Sequence, residues 1–347
     1  MKIDPSKIER VLVIGLSFVG DMTLSTAALW NLRRFLPDAH FTVLAGPQAM
    51  QVLEEDPLWD SVGEFKRLRG FRGRMESVRM VRSIPHDLLI DLRSSAMPLV
   101  CGARYAPLWV WRELFLPRKM HEAERNIWCM TTLGVPVYSR RLRFFVPERA
   151  RAAAGEELAA KGGPFPWILF NPGSNGREKM WPAENFSELA GRLIGGMDVN
   201  IGVTGYSDYE CGIAGRICGD VSSPRCVDLS GRCPMTRLGA LLERAVLFVS
   251  NDTGPLHVAS AVGTPTVGLY LPRNLPRFGS WCNLHRSLVA TGPEGEDAVM
   301  GSIGVEDVLR ACGKMLHEVA LRRQGLPNGS KVLFPVGNFT GNISSGM

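Results

Sequence analysis

Along most of this chain, short unbroken apolar runs alternate with longer segments whose apolar positions recur every three or four residues. Strands of a parallel sheet are covered on both faces and so read as continuous apolar runs. The helices that cross between them carry a single apolar stripe. The alternation therefore predicts an α/β protein with doubly wound parallel sheets. In the first half it predicts strands over 11–16, 41–45 and 88–92 and helices over 22–35, 48–55 and 122–133. Leu36-Pro37-Asp38 stops the first helix, because proline cannot continue the backbone ladder. A helix over 149–161 runs into Gly162-Gly163-Pro164-Phe165-Pro166, which breaks it and is expected to link two domains. The alternation then restarts, with strands over 167–170, 200–204, 226–229, 246–250 and 266–270 and helices over 183–194, 209–218, 235–245 and 255–262. Two Rossmann-like domains are expected, 1–161 and 165–325, with residues 327–347, rich in Gly, Asn and Ser, as a flexible tail. A length of 347 residues agrees, since one ordinary core rarely grows that large.

Composition narrows the class. A chain with 45% hydrophobic and 21% charged residues can build real cores and is neither disordered nor fibrous. Lys2, Lys7 and Arg10 precede an apolar run in the manner of a secretory leader, yet no small-residue cleavage site follows and Asp21 interrupts, so a buried first strand is expected. No stretch has the length of a membrane span, which leaves a cytoplasmic protein with peripheral membrane contact as the expectation. The eight cysteines contain no C-x-x-C pair. Cys211, Cys218, Cys226 and Cys233 are spaced seven, eight and seven apart, which fits no zinc pattern, so reduced, buried thiols and no metal are expected.

The net charge of +6 lies wholly in the first half, where residues 1–150 hold 22 Lys and Arg against 16 Asp and Glu. Lys66, Arg67, Arg69, Arg72, Arg74, Arg79 and Arg82 concentrate it, with only Glu64 and Glu76 among them. The segment is either a solvated helix face or a docking patch for an anionic partner. Nucleic acid is not expected, because no binding motif or aromatic platform accompanies the arginines.

Ligands of doubly wound sheets bind beyond the carboxyl ends of the strands, and three strand-to-helix loops there carry chemistry. The first, Leu16-Ser17-Phe18-Val19-Gly20-Asp21, lacks both the dinucleotide glycine fingerprint and the P-loop lysine, which argues against an NAD enzyme or an NTPase. Asp21 is either a helix cap or a general base aimed into the cleft, and a helix N-terminus would hold it ionised. The second, Asn171-Pro172-Gly173-Ser174-Asn175-Gly176-Arg177-Glu178-Lys179-Met180-Trp181-Pro182, combines small residues that admit backbone N–H groups to an anion with Ser174, Asn175 and the point charge of Lys179. It reads as a diphosphate site or as a packing loop around Trp181. The third, Ser250-Asn251-Asp252-Thr253-Gly254-Pro255-Leu256-His257, opens a short apolar helix. Asp252 is a cap or a ligand group there, and His257 a structural or a binding histidine.

Together these loops resemble the signature of glycosyltransferase family 9, the lipopolysaccharide heptosyltransferases. Lys179-x-Trp181-Pro182 and Asn251-Asp252-Thr253-Gly254-Pro255-x-His257-x-Ala259 carry the resemblance most strongly. Leu36-Pro37-Asp38-Ala39-His40-Phe41-Thr42-Val43-Leu44, Leu89-Ile90-Asp91-Leu92 and His121-Glu122-Ala123-Glu124-Arg125, leading to Leu133-Gly134-Val135-Pro136, extend it from about Arg10 to about Phe278. The resemblance implies a GT-B fold, with the acceptor on the first domain and the nucleotide sugar on the second. It implies inverting, metal-independent transfer of a heptose from ADP-heptose to a Kdo or heptose of the lipid A core, with no cofactor. Asp21 would take the acceptor proton. Lys179, Ser174 and the N–H groups of Thr253 and Gly254 would stabilise the leaving diphosphate, alongside Asn175. Asp252 and His257 would hold sugar or phosphate, and Glu210 a ribose hydroxyl. Ser17, Gly20, Lys66, Arg67, Arg69 and Arg72 would face an anionic, lipid-linked acceptor at the inner membrane. Two departures touch specificity: Phe18 stands where a second small hydroxyl residue is usual, and Leu271-Pro272-Arg273-Asn274 where a glycine commonly follows the tyrosine. A transferase or epimerase using a UDP- or other nucleotide sugar, for core, O-antigen or protein glycosylation, is the alternative enzyme. A silent nucleotide-sugar binder is the alternative class, against which the retention of both Asp21 and Lys179 argues.

Overall fold

Each of the apolar runs becomes a parallel strand in the computed structural model, which describes residues 2–324 apart from 66–69, 110–115, 118, 163, 282–283 and 293–297. Lys66, Arg67, Arg69 and the tail 327–347 thus lie outside the described residues. Strands β1 (Arg10–Ile14), β2 (His40–Ala45), β3 (Ser61–Glu64) and β4 (Leu88–Asp91) form one sheet in the order β3-β2-β1-β4. Strands β5 (Trp167–Asn171), β6 (Asn200–Val203), β7 (Cys226–Asp228), β8 (Leu247–Asn251), β9 (Thr266–Tyr270) and β10 (His285–Val289) form a second, ordered β10-β9-β8-β5-β6-β7. The strands pair in parallel throughout both sheets. In each sheet the order reverses at a central strand, β1 or β5, which is where doubly wound folds open their ligand crevice.

The first sheet is covered by α1 (Val19–Phe35), the single turn α2 (Pro47–Met50), α3 (Gly70–Ser83) and α4 (Glu122–Thr131). On α1, Met22, Leu24, Ala27, Ala28, Leu29 and Leu32 are all buried. Such all-round burial follows from its place, against its own sheet, against α4, and against a helix of the second domain. The second sheet is flanked by α5 (Glu148–Gly162), α6 (Ala183–Gly196), α7 (Asp208–Val221), α8 (Met235–Arg244), α9 (Gly254–Val262), the short α10 (Leu275–Phe278) and the long α11 (Val305–Gln324).

The expected boundary needs correcting. Helix α5, assigned to the first domain, packs on the second: Ala154 and Leu158 join Leu169, Leu238 and Leu241 in one core, and Arg237 Nη2 donates to Glu157 Oε1 at 2.6 Å. The Gly-Pro run after it ends the helix, but its apolar face decides which sheet it covers, so the chain changes domain before Glu148. Strand β3, helices α3 and α11 and strand β10 go beyond the elements read from the pattern. Among the described residues no helix is long and apolar enough to cross a membrane.

Candidate active site

Two helix N-termini, one from each domain, meet at the carboxyl ends of the sheets. A Cβ on Gly20 would lie 2.9 Å from His257 Cδ2, and one on Gly254 would lie 3.1 Å from Val19 Cβ. Only glycine at both positions lets α1 and α9 approach this closely. Asp21 sits in the first turn of α1, whose N-cap residue, Phe18, makes no side-chain capping bond. Asp21 lines the first-domain side of the cleft with Ser17, Phe65, Arg74, Ser77, Arg93 and Ser95, around about 1470 Å³ of open space.

The helix terminus does not dominate the ionisation of Asp21, contrary to the expectation from its position. Burial pushes its carboxyl above the usual carboxylate range, Glu122 and Asp252 add to this, and Arg277 and Lys179 oppose it. A carboxylate with raised proton affinity is a stronger base once ionised, which suits proton abstraction from a hydroxyl.

The second-domain side is held by a small network. Lys179 ends a short 3-10 turn, Arg177–Lys179, and its Nζ lies 3.6 Å from Asp252 Oδ2. Asn274 Nδ2 donates to the same Oδ2 at 2.6 Å, and Ser174 Oγ donates to the Asp252 carbonyl at 3.3 Å. Asp252 is thus no helix cap. Burial raises its proton affinity, with Lys179 and Asn274 opposing. Behind it, the fully buried Asn251 accepts from the Trp181 N–H at 3.0 Å and donates to the Pro172 carbonyl at 2.7 Å, tying the second and third loops together. Trp181 is itself buried, donating from Nε1 to the Ile303 carbonyl at 2.8 Å and packing edge-on against Phe186.

A second pocket adjoins, of about 920 Å³ including its open mouth. Asn171, Asn175, Gly205, Glu210, Thr253 and Gly254 supply its polar rim, and Leu229, Met235 and Leu238 an apolar floor fit for a flat base. Phe18, half exposed, borders both pockets and separates them. Glu210 closes a capping box: its Oε2 accepts from the N–H groups of Tyr206 and Ser207, each at 2.9 Å. One carboxylate oxygen is therefore committed to the helix start. His257 is buried beneath the α1 terminus, and burial, with a smaller contribution from His121, lowers its pKa to about 3, so the ring is neutral.

Of the expected acceptor residues, Ser17 lines the Asp21 pocket, Gly20 the pocket beside it, and Arg72 is exposed on α3. Arg74 and Arg93 form the wall instead. Arg93 Nε donates to the Gly15 carbonyl at 2.7 Å, its guanidinium stacked over Phe65. Arg93 follows Asp91 at the end of β4, and its place after a strand was the signal available. The apolar floor of Leu229, Met235 and Leu238 had none, since apolar residues after a strand look like core. Cys218 Sγ lies 3.8 Å from Cys226 Sγ, and among the described residues no cluster of His, Cys, Asp or Glu could hold a metal ion.

Two parallel-sheet domains that close a carboxylate-bearing cleft over a nucleotide-sized slot define a GT-B glycosyltransferase. The glycosyltransferase family 9 (heptosyltransferase) profile matches residues 103–303, well over half of the chain, and the protein belongs to that family. It is 24% identical to lipopolysaccharide heptosyltransferase 3 of Escherichia coli, over 77% of this chain and 84% of that one. Among solved structures it is similar to a family 9 glycosyl transferase from Veillonella parvula, with a TM-score of 0.75, 24% identity and coverage of 89% of this chain and 97% of that one. It is also similar to E. coli ADP-heptose lipopolysaccharide heptosyltransferase II, with a TM-score of 0.72, 22% identity and coverage of 91% and 99%. The profile match spans Lys179, Asn251 and Asp252 but not Asp21.

Proposed function

We propose that the protein transfers a heptose from ADP-heptose to a Kdo or heptose of the lipopolysaccharide inner core, with inversion and without a metal ion or other cofactor. Asp21 accepts the proton of the acceptor hydroxyl as that oxygen attacks the anomeric carbon. The bond from that carbon to the diphosphate breaks, and its electron pair leaves on the β-phosphate oxygen of ADP. Lys179, Ser174 and the N–H groups of Thr253 and Gly254 offset the charge growing there, the electrostatic contribution that is usually largest in such catalysis. Asp252 orients the sugar, Asn175 the diphosphate, and the second oxygen of Glu210 the ribose, while His257, buried beneath α1 and lining neither pocket, supports the helix contact and does not touch the sugar. The names of the relatives, ADP-heptose and lipopolysaccharide heptosyltransferases, support the choice of donor and acceptor.

The observation that carries this reading is the opposition across one cleft of a general-base carboxylate on α1 and the Lys179–Asp252 pair at the head of α9. A pure binding protein has no use for the first.

For the acceptor side, Arg74 and Arg93 in the pocket wall favour an anionic saccharide. Phe71, 80% exposed, and the exposed Arg72 and Arg79 lie on α3 beside that pocket, which supports peripheral contact with the cytosolic face of an anionic membrane.

Thermal stabilisation by ADP, ADP-heptose, UDP and UDP-glucose tests the donor, because a ligand of the folded state raises stability by RT ln(1 + [L]/Kd). The expected result is a shift confined to the adenine pair. A shift confined to the uridine pair would retain the fold and overturn the heptose donor.

A further inference from the structure

A bridge between the domains starts from the helix turn packed against that of Asp21: Asn126, one turn beyond Glu122 on α4, donates from Nδ2 to the carbonyl of Leu24 on α1 at 3.4 Å. Glu122 opens α4, has a side chain only 6% exposed, and its Oε2 accepts from Arg277 Nε of α10 at 2.8 Å. The same oxygen lies 3.4 Å from Nε of the buried Arg125. Asn274, which caps α10 and holds Asp252, is less than one turn from Arg277. A single short helix thus touches the donor-side carboxylate at one end and the acceptor domain at the other. His121, next to Glu122, tightens this seam by donating from Nε2 to the Gly279 carbonyl at 2.8 Å and stacking on Trp281 at 4.4 Å between ring centres.

We infer that Glu122 and Arg277 are positioning residues for the reaction: their bridge between the domains sets the charge around Asp21, with opposite sign from its two members. This rests on Asp21 being the base. Four charged groups act on the Asp21 carboxyl: Glu122 from α4, Arg277 from α10, Asp252 from the loop before α9 and Lys179 from the turn before α6. Arg74 and Arg93 share its pocket, and the His257 ring under α1 is neutral. Lys179 and Asp252 form a separate pair on the donor side. Glu122 and Arg277 are the members of this set that join the domains. Their two influences on Asp21 run in opposite senses, the glutamate favouring the protonated acid and the arginine the ionised base.

The test is the pH dependence of kcat/KM, whose acid limb reports the base of the free enzyme. Arg277→Gln should move that limb to higher pH, giving a several-fold loss of kcat/KM on the acid side that fades as pH rises. Arg277→Lys, which keeps the charge, should restore the wild-type limb. Glu122→Gln should move the limb to lower pH. Glu122 keeps Arg125 when Arg277 is replaced, so the arginine variants retain the fold, and they decide the matter alone if Glu122→Gln melts early. Limbs that stay in place, or that move the same way in Arg277→Gln and Glu122→Gln, overturn the inference while Asp21→Asn remains inactive. Full turnover by Asp21→Asn overturns the base assignment itself and this inference with it.

Discussion

On the second domain the polar side chains of the cleft brace one another. Asn251 ties the strand end to Trp181 and Pro172, and Asn274 and Lys179 meet on one oxygen of Asp252. On the first domain Asp21 stands in a helix turn with no capping bond, and its neighbours in the pocket come from the loop after β1, from α3, from the loop after β4 and from the short turn at Met97. On the proposed function, the donor half is therefore a preorganised site on rigid elements, and the acceptor half a single reactive group whose carboxyl is braced by no side-chain hydrogen bond among the described residues. The contrast suits a reaction in which the diphosphate must be met by fixed dipoles while the acceptor brings its own shape. It also predicts which substitutions affect turnover, which affect folding and which affect only binding.

Asp21→Ala should have the largest effect. Loss of a positioned general base lowers kcat by about 10² to 10⁴. ADP should still stabilise the protein as it does the wild type, because the donor network is untouched. Equal loss of turnover and of ADP stabilisation would show that Asp21 belongs to the donor half and would dissolve the contrast.

Asn251→Ala should act on stability first. It leaves the Trp181 N–H and the Pro172 carbonyl buried without their partner, and each such group costs roughly 1 to 3 kcal/mol. Chemical denaturation should show the loss, with ADP affinity falling alongside because the loop that carries Lys179 is released. A variant as stable as the wild type would mean that the two loops are held by something other than Asn251.

Lys179→Ala should weaken ADP about tenfold or somewhat more, the weight of one charge-assisted hydrogen bond, with little change in fold. Titration calorimetry with ADP decides it, and unchanged affinity would remove Lys179 from the diphosphate site.

Much of this was legible in the residues themselves. Strands such as Val11 to Ile14 and Ile168 to Phe170 announce themselves because both faces are buried, and the loops after β5 and β8 carry their chemistry in consecutive residues. The structure adds what depends on distant residues. Strand β3, Ser61–Glu64, lies on a sheet edge and is only half buried, so it shows no apolar run. The Ala154 and Leu158 face of α5 fits either domain in sequence, and only the position of Leu238 and Leu241 assigns it. Helix α11 is a different case, since Val308, Leu309, Cys312, Met315, Leu316 and Val319 are buried at helical spacing and the pattern was there to read. Glu122 and Arg277 are far apart in the chain, and no local signal links either to Asp21.

The smallest predicted effect separates the two halves most finely, because it asks what the isolation of Asp21 costs the fold. Its carboxyl has a higher proton affinity in the folded protein than in the unfolded chain, mainly through burial. As pH rises through the unfolded value, the unfolded chain ionises first and is favoured, so stability falls until the folded value is passed and then levels. At neutral pH the ionised Asp21 is therefore a net destabilising group. Asp21→Asn should show a slightly higher Tm than the wild type at neutral pH. The difference should shrink as pH falls through the folded and then the unfolded pKa, until both states carry a neutral side chain. A lower Tm at neutral pH would mean that Arg277 and Lys179 outweigh burial and that Asp21 is braced as firmly as Asp252.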